Sequence, residues 1–159
     1  MGDFKKYGIL PEKGRKYENI IYVFEMIHGM LEREIAAYFQ KHNFTMSKFN
    51  ILTVVAFQNE GRGMNQVEIG SCLITTAGNV TKLIESLHKD KFVTRVQNKD
   101  NRRENIIKIT PKGRAFIEKL WPQYDELLKK RANLIPIKKQ EVFAEALKDW
   151  FQKLEDIYK

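Results

Sequence analysis

A chain of 159 residues with 28 Lys and Arg against 20 Asp and Glu, a formal net charge of +8, has room for one architecture with a real apolar core and is short for two independently folding domains. The basic excess suits a polyanionic partner, nucleic acid before an anionic membrane surface. No apolar run approaches the length of a membrane span and no signal peptide opens the chain, so the expectation is a cytoplasmic protein without membrane contact; a single cysteine, Cys72, excludes an intrachain disulfide and a cysteine-built zinc site.

Residues 1 to 14 mix Gly2, Gly8, Pro11 and Gly14 with charges and read as an arm with few contacts of its own. From Lys16 to Lys41, Ile20, Phe24, Ile27, Leu31, Ile35 and Tyr38 recur at steps of three and four, the stripe of a long amphipathic helix. Thr45 is placed to N-cap a second helix reaching Gln58, with Phe49, Leu52, Val55 and Ala56 on one face, and Glu60-Gly61-Arg62-Gly63 ends it in a loop. Asn65 caps a short helix whose apolar residues are Val67, Ile69 and Leu73, and Ile74-Thr75-Thr76 turns the chain into the next helix, Thr76 to Lys89. There Val80, Leu83, Ile84 and Leu87 point to the core; Ala77, Gly78, Asn79, Thr81, Lys82, Glu85, Ser86 and Lys89 point outward.

The period then changes from helical to two. Phe92, Val93 and Val96 lead into the polar stretch Asn98 to Arg103, and Ile107 and Ile109 lead out of it, which predicts a β-hairpin with two arginines at its tip. Thr110-Pro111 starts a helix, an N-cap followed by proline where no donor is lost; it carries Phe116, Leu120, Leu127 and Leu128 and breaks at Ile135-Pro136. From Ile137 a last helix sets Phe143, Leu147, Trp150, Leu154 and Ile157 at alternating steps of four and three, the spacing of a helix-to-helix seam.

The fold class that follows is mainly α with a small β-hairpin wing, a winged helix-turn-helix on a helical frame. Residues 1–44 form the arm and a dimerisation helix, 45–111 the winged unit and 112–159 the C-terminal dimerisation helices, all in one continuous structure. The stripes of the terminal helices need another surface, and a second copy about a twofold axis supplies it, which predicts a homodimer.

A short helix, a tight turn and a helix whose outer face is Thr, Asn, Gly and Lys suit major-groove reading, with small polar side chains at base edges and helix-end amides at phosphates. Gly78 either lets the backbone approach a phosphate or is a tolerated glycine near a helix end. Arg102 and Arg103 at the hairpin tip suit a narrow minor groove, whose negative potential attracts arginine; the bland alternative is a solvated charged turn. There is no phosphate loop, nucleophile elbow or dense His/Asp/Cys cluster, which argues against an enzyme. A winged module that binds protein or RNA without operator specificity is the rival reading. The outward face of the Thr76 to Lys89 helix shows none of the aromatics that stack single-stranded bases, which favours duplex DNA.

The blocks from Asn79 to Leu87, Phe92 to Arg95, Asn101 to Arg103 and Ile107 to Gly113, taken together, resemble the recognition helix, wing and exit turn of the multiple-antibiotic-resistance repressor (MarR) family. That resemblance implies a regulator, a repressor released by a small-molecule effector, that binds an inverted repeat as a dimer. Thr75, Thr76, Gly78, Asn79, Thr81, Lys82, Arg95, Arg102 and Arg103 would be its DNA-contacting residues, with Arg103 in the minor groove. Two positions depart from the family pattern: the wing aspartate is replaced by Asn101, leaving Asp100 one place out as the brace for Arg103, and the glycine after the recognition helix is Lys91.

Members of the family respond to small anionic aromatics, to thiol oxidation or, in a few cases, to metal. Cys72 lies in the short helix and is expected to be a buried small hydrophobe. Glu25, His28 and Glu32 share a helix face at steps of three and four, a spacing open to metal ligation or to a solvated acidic stripe. His42 and His88 lack sequence-adjacent partners, and His88 sits where it serves a helix dipole. Tyr22, Phe24, Met26, Phe39 and Phe49 are either an aromatic effector pocket or core. The expectation is no cofactor or metal, and an effector of the small aromatic or anionic class.

Overall fold

The computed structural model describes residues 4–7, 16–73, 76–98, 101 and 104–158. In chain order these form a 3-10 turn at Phe4–Tyr7, α1 (Lys16–Gln40), α2 (Met46–Phe57), a 3-10 turn at Gln58–Gly61, α3 (Gln66–Ser71), α4 (Ala77–Lys89), β1 (Val93–Gln97), β2 (Asn105–Ile109), α5 (Pro111–Ala132) and α6 (Ile137–Tyr158). The mainly helical architecture with one antiparallel hairpin is the one the periodicities predict, and α2, α3, α4 and α5 each start directly after the expected cap, Thr45, Asn65, Thr76 and Thr110. The chain divides into two compact units, 1–113 and 114–159.

In the first unit the core is built on α2. A helix with apolar residues on more than one side is buried over a wide arc, and Phe49, Ile51, Leu52 and Val55 are essentially inaccessible, including Ile51, which lies off the predicted face. Phe39 of α1, Ile69 of α3, Val80, Ile84 and Leu87 of α4, and Val93 and Ile107 of the hairpin join them in the core. Each large apolar side chain buried in this way contributes about 1.5–3 kcal/mol. The Phe39 and Phe49 rings lie 4.9 Å apart. Of the α1 stripe only the last turns enter the core, through Ile35 and Tyr38, while Ile20, Phe24 and Ile27 stay exposed.

Two helices stop in the same way. At the end of α1, Asn43 takes a φ of 53°; its N–H bonds the Gln40 carbonyl at 3.0 Å and that of Phe44 bonds Phe39 at 3.1 Å. At the end of α4, Lys91 takes a φ of 62°; its N–H bonds His88 at 3.0 Å and that of Phe92 bonds Leu87 at 2.9 Å. Both are Schellman closures, in which the left-handed residue satisfies the last carbonyls. Asparagine tolerates that conformation, but lysine pays about 1–2 kcal/mol for its Cβ. Lys91→Gly should therefore raise stability by about 0.5–1 kcal/mol after glycine's extra chain entropy is deducted, measured as a higher urea midpoint at unchanged slope.

The hairpin pairs Val93 with Ile109 and Arg95 with Ile107. A third, one-residue strand flanks it: the Met64 N–H bonds the Ile107 carbonyl at 3.1 Å and the Ile107 N–H returns to Met64 at 2.8 Å. Gly63, at φ 94°, leads into it, and a Cβ there would lie 2.7 Å from the Ile107 carbonyl oxygen. Where the hairpin ends, Thr110 Oγ1 shares its one proton between the carbonyls of Lys91 (2.8 Å) and Phe92 (3.0 Å) and accepts from the Gly113 N–H (3.0 Å), so the N-cap of α5 also ties down the turn after α4.

Two apolar residues of this unit lie at the surface, and one expectation, the burial of Cys72, is corrected. Val67 is 81% exposed; in so short a helix the burial of Ile69 puts a residue two places away about 200° round the axis. Val96 is exposed because strict alternation places it on the face of β1 opposite Val93. Cys72 is exposed, not buried: it is the C-cap of α3, where the chain has already left the helix.

In the second unit α5 continues through Pro122. Its buried residues are Ile117, Leu120 and Tyr124, at steps of three and four, whereas Leu128 is exposed, so the predicted Phe116 to Leu128 side is displaced toward Tyr124. Gln140 Nε2 donates to the carbonyls of Ile135 (2.9 Å) and Ala132 (3.3 Å), satisfying the end of α5 at the corner before α6. Along α6, Phe143, Phe151, Leu154 and Ile157 are exposed.

Candidate nucleic-acid interface

The short α3 is held by a capping box: Asn65 Oδ1 accepts from the Glu68 N–H at 2.9 Å and Glu68 Oε2 accepts from the Asn65 N–H at 2.7 Å. Its C-terminal turn passes close to α4, where a Cβ on Gly70 would lie 3.9 Å from Val80 Cγ2. Thr76 N-caps α4, its hydroxyl oxygen accepting from the Asn79 N–H at 3.4 Å. With Val80, Ile84 and Leu87 anchored in the core, Thr76, Ala77, Gly78, Asn79, Lys82 and Glu85 are all exposed along the outer side. A Cβ on Gly78 would meet nothing within 4 Å, so no packing within the described chain requires glycine there.

Thr81 stands apart from its neighbours. It is half-buried, its hydroxyl donates to the Ala77 carbonyl at 3.1 Å, and it accepts from Gln66 Nε2 of α3. Arg95 is exposed on β1, opposite Ile107 in register. With Gln66, Val67, Glu104 and Asn105 it borders a groove of about 240 Å³ between the start of α3 and the wing. The tip is closed by the Asn98 N–H on the Glu104 carbonyl and the Glu104 N–H on the Asn101 carbonyl, both at 2.9 Å. Thr75, Asp100, Arg102 and Arg103 lie outside the described residues.

The far end of α4 is held by residues that no local pattern announces. Lys48 Nζ lies 3.3 Å from Asp90 Oδ2, and Lys112 Nζ donates to the Asp90 carbonyl at 2.7 Å, placing cations at the negative end of the helix dipole. Lys112 also lies over the Phe92 ring at 4.6 Å, and Phe92 meets Phe44 edge-on at 5.5 Å. Sequence separations of 42 and 22 residues hide these pairs from any reading of helical period.

The other candidates do not converge. Glu25, His28 and Glu32 are exposed on α1, and among the described residues no group of three or more His, Cys, Asp or Glu is placed to hold a metal ion. His42 packs edge-on against Tyr38 at 5.2 Å. Phe39 and Phe49 belong to the core, while Tyr22 and Phe24 lie on the surface. No described helix is long and apolar enough to cross a membrane.

The family model for the transcriptional regulators SarA/Rot matches residues 35–120, more than half of the chain and all of the winged unit just described. The chain belongs to the SarA/Rot transcriptional regulators. Among curated relatives of this SarA/Rot protein, the HTH-type regulator YkoM of Bacillus subtilis is 30% identical over 84 residues, 52% of either chain, so that match spans about half of YkoM. The HTH-type transcriptional repressor YetL of the same organism is 23% identical over 94% of this chain and 93% of its own. The fold is shared with MarR-family regulators, the relationship the central blocks suggest. It is shared too with Staphylococcus aureus MepR in its complex with DNA, at a TM-score of 0.76 and 19% identity, over 85% of this chain and 97% of that one.

Proposed function

We propose that this regulator binds double-stranded DNA sequence-specifically as a homodimer on an inverted repeat, and acts as a repressor released by a small aromatic or anionic effector. The observation that carries the DNA reading is the outer side of α4: Thr76, Gly78, Asn79 and Lys82 are exposed on a helix whose opposite side is locked into the core. The fold of MepR, which is known in complex with DNA, supports the same use. The face carries no aromatic side chain, which favours duplex DNA over single-stranded RNA. Repression rests on the likeness to YetL, and the effector on the family resemblance. For the dimer the support is the apolar residues left exposed along α1 and α6. Two winged units in such a dimer would sit roughly 34–36 Å apart, one turn of DNA. By resemblance Arg95, Arg102 and Arg103 serve the wing, with Asp100 bracing Arg103.

The test separates base reading from phosphate contact. On a duplex recovered from a random pool by the parent protein, Asn79→Ala should relax preference at one position per half-site by about 1–3 kcal/mol. Lys82→Ala should weaken all duplexes alike and flatten the salt dependence by about one contact. If neither substitution changes binding, α4 is not the reading element.

A further inference from the structure

The hydrogen bond from Gln66 to Thr81 joins the first residue of α3 to the middle of α4. A hydroxyl has one proton to give and two lone pairs to offer. The Thr81 proton goes to the Ala77 carbonyl and one lone pair takes the Gln66 amide, so its only donor and one of its two acceptor positions are used within the chain. Asn79 and Lys82, its neighbours on the same helix, are by contrast exposed. Gln66 also borders the groove shared with Arg95 and Glu104, so one side chain sits where α3, α4 and the wing meet.

The mechanical consequence follows from helix geometry. A rotation of α4 by about 10° carries a side-chain tip about 6 Å from the axis through about 1 Å, enough to spoil a hydrogen bond whose useful range is a few tenths of an ångström. The apolar contacts of Val80, Ile84 and Leu87 are non-directional and tolerate such a turn. A directional bond from a capped, short α3 does not.

We propose that Gln66 and Thr81 form a positioning contact that sets the rotation of α4, so that Thr81 governs DNA specificity through Gln66 and not through a base. This rests on α4 being the reading helix. The experiment uses the full chain and the duplex selected by the parent protein, with a scrambled duplex of equal length as the non-specific probe. Thr81→Val and Gln66→Met should each lower the ratio of selected to scrambled affinity by about tenfold, and the double variant should lose no more than either alone, because the two residues act as a unit. Binding to the scrambled duplex should not change, and Thr81→Ser, which keeps the hydroxyl, should hold the parent ratio.

A loss in Thr81→Val with Gln66→Met unaffected would overturn the proposal, since Thr81 would then be touching DNA itself. Losses that add in the double variant, or silence in all of them, would overturn it as well. Asn79→Ala in the same assay keeps the two readings apart: its loss shows that α4 reads the duplex whatever the latch does. Melting each variant by circular dichroism, with Thr81→Ser as the conservative partner, separates a turned helix from an unfolded one.

Discussion

Gly113→Ala is expected to destabilise the winged unit by about 2–4 kcal/mol, among the largest effects of any one-methyl change in this chain. The added Cβ would stand 2.3 Å from the Phe92 carbonyl oxygen, 3.2 Å from its carbon and 2.9 Å from Ile109 Cγ1. Two of those atoms are backbone, so no side-chain rotation relieves the overlap. The residue that must move also closes α4, because the Phe92 N–H donates to Leu87 while its carbonyl accepts from the Thr110 N–H and hydroxyl. Relief there costs hydrogen bonds at the end of α4, the root of the hairpin and the start of α5 together. Chemical denaturation followed by helical signal measures it; a loss below about 0.5 kcal/mol, the level of an ordinary surface change, would show that the turn yields freely.

Ile20→Glu combined with Ile27→Glu should convert the proposed dimer to a monomer at micromolar concentration while leaving the fold of the chain intact. Both isoleucines are exposed in the single chain, at 59% and 46%, and neither belongs to its buried core, so the loss of intrachain packing is small beside that at the interface. Across a twofold interface each change occurs twice, and burying an unpaired carboxylate costs several kcal/mol. Light scattering reads the mass directly. Binding to a two-half-site duplex should fall by about a hundredfold or more, since the second winged unit no longer benefits from the high effective concentration that linkage provides. An unchanged mass would remove α1 from the interface.

Much of this architecture is written locally. Thr45, Asn65, Thr76 and Thr110 cap their helices through bonds spanning three residues, and such short-range chemistry is visible wherever the residue types stand in order. The stripe of α4, the α2 face of Phe49, Leu52 and Val55, and the last turns of the α1 stripe announce the core for the same reason. What escapes is set by tertiary placement. The Met64 strand is one residue long and has no period. Lys48 and Lys112 reach Asp90 only after folding brings three helices together. In α5 two overlapping apolar lines compete, and the buried one ends on Tyr124, whose polar tip disguises it. The candidate site shows both limits: the exposed α4 residues follow from the helical period, whereas the commitment of Thr81 to Gln66 depends on where α3 lies. Lys91 is the instructive middle case: the missing glycine is legible against the family pattern, and the φ of 62° shows which residue takes the left-handed position in its place.

The exposed thiol of Cys72 has a practical meaning. It is the single cysteine of the sequence, at the C-cap of α3 and four residues ahead of the Thr76 N-cap of α4, so a maleimide reagent attaches one label per chain with no engineered site. A fluorophore there would report a duplex arriving at α4 as a change in brightness or tumbling. A nitroxide on the same sulfur would turn two associated copies into a molecular ruler, whose paired spins read the spacing of the winged units in solution and follow it as DNA is added.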